Sequence, residues 1–302
     1  MNAPVQSSAC EGIQSSPRSE ATPRASSVAA CAPSPIEWVD VDWRGRTVQI
    51  EHQWLRPADT SAPLMVFLHE GLGSLSMWRD FPAALCEALG CRGLVYSRPG
   101  YGQSTPRGPD DHWAPDFMHR QASEVLPALL AALGIDAMRD RLWLFGHSDG
   151  GSIALLYAAR FPTRVSGVIA MAPHILVEDV SVQSIAQTRS AYLETDLREK
   201  LARHHADPDS AFWGWNDIWL HPGFRQWRID AELANIACAL LAVQGVNDGY
   251  GTLAQVHGIA RKAPQCQVVE LAACGHSPHR DQRKLLVEAV QQFFNDNTRR
   301  PS

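Results

Sequence analysis

The pentapeptide Gly146-His147-Ser148-Asp149-Gly150 sets a hydroxyl nucleophile between two glycines, after the apolar run Leu142 to Phe145 and before a helical pattern over Ser152 to Phe161. A serine raised on a sharp strand-to-helix turn needs small neighbours where the backbone crowds it, and the helix N-terminus then lies beside developing negative charge. Such a hydroxyl attacks a carbonyl only when a base takes its proton, and the base needs a third group to orient it. His276 is the candidate base, in the segment Cys274 to His279 that follows the apolar run Gln267 to Leu271. His279 is the alternative, set nearer the following helix. Asp248 is the candidate acid, at the end of Gln244-Gly245-Val246-Asn247-Asp248, although beside Asn247 and Gly249 it also reads as a turn former. All three follow strands, at the carboxyl ends where a parallel sheet presents its site.

Acyl transfer also needs N–H donors aimed at the oxyanion. One is expected from the backbone of Asp149, the residue after the nucleophile. The second is expected from His69-Glu70-Gly71-Leu72-Gly73-Ser74, with Gly71 the donor and Glu70 the alternative. Each motif has a plainer reading as a glycine turn or a solvated loop residue. Their joint order of serine, acid and histidine favours chemistry.

The elements that must position these residues follow from the hydrophobic pattern. Alternation from Ile36 through Trp43 and from Val48 to Trp54, around Arg44-Gly45-Arg46, predicts a β-hairpin. Continuous apolar strands are then expected at Leu64 to Leu68, Gly93 to Tyr96, Leu142 to Phe145, Val165 to Met171, Ala239 to Val243 and Gln267 to Leu271. Between and after them, helical spacing appears at Met77 to Leu89, Phe117 to Leu133, Ser152 to Phe161, Leu253 to Arg261 and Gln282 to Phe294. That alternation predicts an α/β fold with a mostly parallel sheet covered by helices on both faces. After Ala172 the rhythm stops in a polar stretch containing Trp213, Trp215, Trp219 and Trp227, which reads as an inserted cap. The expected organisation is a Ser-, Ala- and Pro-rich disordered tail over 1–35, a core over 36–172 and 238–297, the cap over 173–237, and a short tail over 298–302.

The 302-residue chain is 45% hydrophobic and 20% charged, the composition of a globular protein. Its formal charge of -5 weighs against a surface built to neutralise phosphates, so no nucleic-acid partner is expected. Seven cysteines without a CxxC pair suggest neither a zinc site nor a complete disulfide framework. No apolar run reaches the roughly 18 residues that span a bilayer, and the N-terminus has no signal-peptide pattern. The chain reads as cytoplasmic, without a membrane partner. Nothing indicates an oligomeric state.

The motifs FLHEGLGS from Phe67, YSRPGYGQS from Tyr96, GHSDGGS from Gly146, QGVNDGYGT from Gln244 and CGHSPH from Cys274 together resemble the α/β-hydrolase superfamily over residues 36 to 297. The segment His69 to Gly73 is similar to the HGGPG form of the oxyanion loop, with Glu70 in place of a glycine. The resemblance implies an α/β-hydrolase fold with a helical cap insertion after the sixth strand. It also implies a Ser148 nucleophile, His276 as general base and then acid, and Asp248 holding the imidazole tautomer, with no metal or organic cofactor required. A serine at this position speaks against the dehalogenase and epoxide hydrolase branches, which use an aspartate there.

The expected activity is hydrolysis of a small-molecule carboxylic ester or related acyl compound through an acyl-enzyme. Carbon–carbon bond hydrolysis of ring-cleavage products and thioester hydrolysis use the same residues and remain alternatives. A non-catalytic ligand receptor of the same fold is a further one. Asp149 reads as an anion placed at a helix N-terminus, or as a substrate-facing carboxylate. Trp213, Trp215 and Trp219 are the expected substrate-binding residues of the cap, the alternative being that they staple it to the sheet.

Overall fold

The alternating segment that opens the core folds as a hairpin of β1 (Glu37–Trp43) and β2 (Arg46–Leu55), turned at Arg44 and Gly45, both of positive φ. A computed structural model describes residues 33–298 except Pro57 and Pro109. The expected tail therefore lies outside the described residues up to residue 32. Its last residues are tied to β2: Ser34 N donates to Trp54 O, and Ser34 Oγ accepts from Trp54 N. These bonds place ordered chain ahead of Ile36.

The remaining strands are β3 (Leu64–Leu68), β4 (Arg92–Tyr96), β5 (Leu142–His147), β6 (Gly167–Met171), β7 (Ala239–Gly245) and β8 (Cys266–Leu271). They form one eight-stranded sheet in the order β1-β2-β4-β3-β5-β6-β7-β8, antiparallel only at β1/β2 and β2/β4. Every residue of β3 to β7 is buried, as strands covered on both faces require. Leu64, Val66 and Leu68 enter one core while Met65 and Phe67 enter the other, because successive side chains leave opposite faces.

The helices are α1 (Phe81–Leu89), α2 (Phe117–Arg120), α3 (Leu126–Ala132), α4 (Asp149–Arg160), α5 (Asp179–Glu194), α6 (Leu197–Ala202), α7 (Pro208–Leu220), α8 (Ala254–Lys262), α9 (Pro278–Asp281) and α10 (Arg283–Thr298). Helices α1 and α10 cover one face of the sheet, and α3, α4 and α8 contribute to the core on the other. Helix boundaries differ from the hydrophobic pattern in places, two of them for clear local reasons. Helix α1 starts at Phe81 rather than Met77, with Pro82 in its first turn where a missing N–H costs nothing. A π turn, Gln121–Val125, joins α2 to α3 just before Pro127, which cannot donate to the ladder.

The chain passes from β3 to β4 on one side and then returns to place β5 on the other side of β3. The loops after β3 and β5 diverge toward opposite faces, leaving a crevice at their carboxyl ends, the usual ligand position in open α/β sheets. Between β6 and β7 the chain leaves the sheet and forms α5, α6 and α7. No helix among the described residues is long and apolar enough to cross a membrane.

Candidate active site

Strand β5 turns directly into α4 at Ser148, whose backbone lies at φ 53° and ψ -119°. This is left-handed space, which costs a non-glycine residue about 1–3 kcal/mol. Ser148 N donates to Met171 O at 2.9 Å and Ser152 N donates to Ser148 O at 3.0 Å, so the turn is held from both sides. The glycines are steric necessities. A Cβ on Gly146 would stand 2.2 Å from Gly150 O, and one on Gly150 2.1 Å from Leu68 O.

Raised on this turn, Ser148 Oγ lies 2.9 Å from His276 Nε2. His276 Nδ1 lies 2.9 and 2.8 Å from the two carboxylate oxygens of Asp248. The Asp248 side chain is fully buried and also accepts from Gln244 Nε2 at 2.6 Å and Tyr250 N at 2.8 Å. Burial opposes its ionisation, but the hydrogen bonds from His276 and Tyr250 outweigh that and hold its pKa below the ordinary value. A carboxylate there keeps the His276 proton on Nδ1 and leaves Nε2 free to accept from serine. The His276 loop is anchored by its own carbonyl, 2.7 Å from His147 Nε2. His279 joins none of this; it is buried against Trp78, Phe81 and His147.

On the other side of Ser148 lies the loop after β3. Its Glu70 carbonyl accepts from three donors: His69 Nδ1 at 2.7 Å, Arg98 Nη2 at 2.8 Å and Gly73 N at 3.0 Å. Burial and the Arg98 charge push the His69 imidazole well below its usual range, so the ring is neutral. Its Nε2 accepts from Arg98 N at 3.0 Å, which leaves Nδ1 as the donor to Glu70. In a trans peptide the C=O and the next N–H point in opposite directions. With the Glu70 carbonyl pinned, the Gly71 N–H faces away from His69 and Arg98. Neither it nor the Asp149 N–H donates to an acceptor among the described residues.

Ser148, His276, Gly71 and Asp149 border one pocket of about 210 Å³, completed by Glu70, Leu72, His147, His174, Ile185, Thr188, Trp215, Trp219, Tyr250 and Ser277. A larger cleft of about 370 Å³ lies between the β1–β2 turn and the segment Pro99 to Trp113, but no serine or cysteine lines it. The Ser148–His276 contact, not size, marks the smaller one. Trp215 and Trp219 line it because residues four apart share a face of α7. Trp213 does not, which corrects its expected substrate contact. Two residues before Trp215 it lies round the helix, packed on Phe212 and Tyr192 and beneath the Arg189 guanidinium.

Sequence reasoning does not reach His174, Thr188 or Tyr250. His174 had a signal, since it follows β6 at the same edge of the sheet as the other three. Nor does it reach the partner of the Asp149 side chain: Trp219 Nε1 donates to Asp149 Oδ1 at 3.2 Å, tying α7 to the turn of Ser148. Asp149 Oδ2 is buried with no partner. Burial pushes this carboxyl up to about 6, against the pull of the Arg98 charge. Between pH 3.8 and about 6 the folded state keeps a proton that the unfolded chain has released, so stability falls as pH rises through that window. Asp149→Asn keeps the oxygen that Trp219 needs and removes this cost. It is expected to raise stability above pH 7 by on the order of 1–3 kcal/mol and to add nothing at pH 4, as checked by urea denaturation at both values.

The family model described as alpha/beta hydrolase fold matches residues 63–217, a little over half of the chain. The chain belongs to the α/β-hydrolase family. This α/β hydrolase is 27% identical over 209 residues to the biotin biosynthesis bifunctional protein BioHC of Cellvibrio japonicus, covering 60% of this chain but 41% of that protein. The chain thus spans less than half of that relative's length. It is 24% identical over 279 residues to the sn-1-specific diacylglycerol lipase ABHD11 of Mus musculus, covering 80% of this chain and 83% of that one. Among solved structures the α/β hydrolase is similar in fold to the enol-lactonase from Burkholderia xenovorans LB400, with a TM-score of 0.65 at 21% identity over 86% of this chain and all of that one. A thermophilic esterase from Thermogutta terrifontis gives a TM-score of 0.65 at 17% identity, covering 87% of this chain and 99% of that one.

Proposed function

We propose that this α/β hydrolase cleaves small carboxylic esters through an acyl-enzyme on Ser148. The observation that carries the reading is the unbroken chain Ser148 Oγ to His276 Nε2 at 2.9 Å and His276 Nδ1 to Asp248 at 2.8 Å, opening into a pocket. In this reading Ser148 attacks the ester carbonyl as its proton passes to His276 Nε2. The tetrahedral oxyanion takes the N–H groups of Gly71 and Asp149, and His276 returns the proton to the leaving alkoxide. A water activated by His276 then releases the acid. A volume near 210 Å³ lies below the usual range of roughly 300–1,000 Å³ for ligand pockets, which favours a short acyl chain. The segment carrying α5 to α7 acts as a cap, with Trp215 and Trp219 as pocket walls. Turnover of p-nitrophenyl esters from acetate to decanoate tests this, with activity expected to peak at short chains. Hydrolysis of acyl thioesters or dienone ring-cleavage products, but not of esters, would overturn it.

The pinned Glu70 carbonyl gives Arg98 a positioning role. Without that guanidinium the Glu70 carbonyl keeps only His69 Nδ1 and Gly73 N, the Glu70–Gly71 peptide is held less firmly, and the oxyanion loses part of a preorganised donor worth about 10²–10³ in rate. Arg98→Met is therefore expected to lower kcat for a short ester by up to about 10²-fold, with KM changed far less. Steady-state kinetics on protein checked by circular dichroism measures this. A fall in melting temperature with kcat per folded molecule unchanged would reduce Arg98 to a structural prop.

A further inference from the structure

Helix α5 reaches the acid and the base through the residues that follow Asp248. Ser181, Ser184 and Thr188 share one face of α5, at spacings of three and four residues. Ser181 Oγ donates to Tyr250 O at 2.5 Å, Ser184 Oγ donates to Gly249 O at 2.6 Å, and Thr188 Oγ1 meets Tyr250 Oη at 3.0 Å. Thr188 gives its own proton to Ser184 O at 2.8 Å, so Tyr250 is the donor in the last pair. The Tyr250 N–H donates to Asp248 Oδ1 at 2.8 Å. Its ring stands 4.8 Å from the His276 imidazole with the planes 37° apart, nearer to stacked than to edge-on. Tyr250 is thus fixed at its N–H, carbonyl and hydroxyl, and the ring between those anchors lies against the imidazole.

We infer that Tyr250 is a positioning residue for His276, and that α5 holds the Tyr250 ring in place through Thr188. This rests on the Ser148 and His276 part of the ester-hydrolase reading, and it gives α5 a share in the chemistry besides its place in the pocket wall. His276 Nε2 must stay on Ser148 Oγ while the proton passes, and a misplacement of about 1 Å can cost 10²-fold in rate. Asp248 holds the imidazole only at Nδ1, and an N–H···O bond tolerates about 30° of bending before it weakens. The Tyr250 ring limits that swing. When the imidazole takes the serine proton and becomes a cation, an aromatic neighbour also suits its charge better than an aliphatic one does. Neither effect requires Tyr250 to touch the substrate.

The test measures kcat and KM for p-nitrophenyl butyrate, and the rate at which a fluorophosphonate labels Ser148, on the full chain with circular dichroism and melting temperatures beside them. Tyr250→Leu is expected to lower kcat about tenfold with KM changed far less, and to slow labelling in step, since labelling also needs His276. Tyr250→Phe keeps the ring and loses only the bond to Thr188, so its kcat is expected to fall by about threefold. Thr188→Val removes the same bond from α5 and is expected to give the same loss, with the double variant no worse than either. A raised KM with kcat and labelling unchanged in Tyr250→Leu would make Tyr250 a pocket wall alone, overturning the inference and leaving the ester reading standing. A lowered melting temperature with kcat per folded molecule unchanged would do the same. Should Tyr250→Leu fail to fold, an unchanged kcat in both Tyr250→Phe and Thr188→Val overturns it, and additive losses in the double variant separate α5 from Tyr250. A wild-type protein that neither hydrolyses the ester nor labels at Ser148 would overturn both readings.

Discussion

Ser148→Ala and His276→Ala are each expected to lower kcat/KM toward a short ester by about 10⁵–10⁶-fold, and the double variant is expected to be scarcely worse than either. The reason is that the two side chains act as one unit. His276 Nε2 has Ser148 Oγ at 2.9 Å, so removing the hydroxyl leaves a base with nothing to deprotonate, and removing the ring leaves a hydroxyl with its proton. Both sites tolerate truncation sterically because they border a pocket. The measurement is a double-mutant cycle in kcat/KM, with melting temperatures beside it. Strict additivity of the two losses would show that the residues contribute separately. His279→Ala, by contrast, removes a ring packed on Trp78 and Phe81, and should act on stability before rate.

Asp248→Asn is expected to cost about 10⁴-fold in kcat, less than loss of the serine or the histidine. The amide turns an NH₂ toward an imidazole nitrogen now facing a carboxylate oxygen at 2.8 Å. To accept it, His276 must move its proton to Nε2, and a protonated Nε2 cannot take one from Ser148. The loss is one of tautomer, so KM should hardly move. The single amide oxygen must also serve both Gln244 Nε2 and Tyr250 N, which now reach separate carboxylate oxygens. A modest fall in melting temperature is expected for that reason. Kinetics of Asp248→Asn over pH 6 to about 9 check the account, and an unchanged kcat would remove Asp248 from the mechanism.

The sheet was readable because β3 to β7 bury both faces, and such strands carry continuous apolar runs that no turn interrupts. Helix α4 begins at Asp149, three residues before its hydrophobic pattern does, because Gly150 and Gly151 fit close backbone contacts and carry no periodic signal. Ser148, Asp248 and His276 were legible as candidates since each sits in a short motif that follows a strand's end. Beyond Trp215 and Trp219 the pocket walls were not, for they come from α5 and the segments after β6 and β7, brought together only by packing. The tryptophans of α7 illustrate the limit. Helical spacing alone pairs Trp215 with Trp219 and separates Trp213, but which face meets Ser148 depends on the Trp219–Asp149 hydrogen bond.

The most direct test of an acylatable Ser148 is its reaction with a fluorophosphonate, followed by intact-protein mass spectrometry and peptide mapping. The account predicts a single adduct on Ser148, formed rapidly in the wild-type protein, slowed by several orders of magnitude in His276→Ala and absent in Ser148→Ala. A folded wild-type protein that labels no faster than Ser148→Ala, or that carries its adduct on another residue, would contradict it.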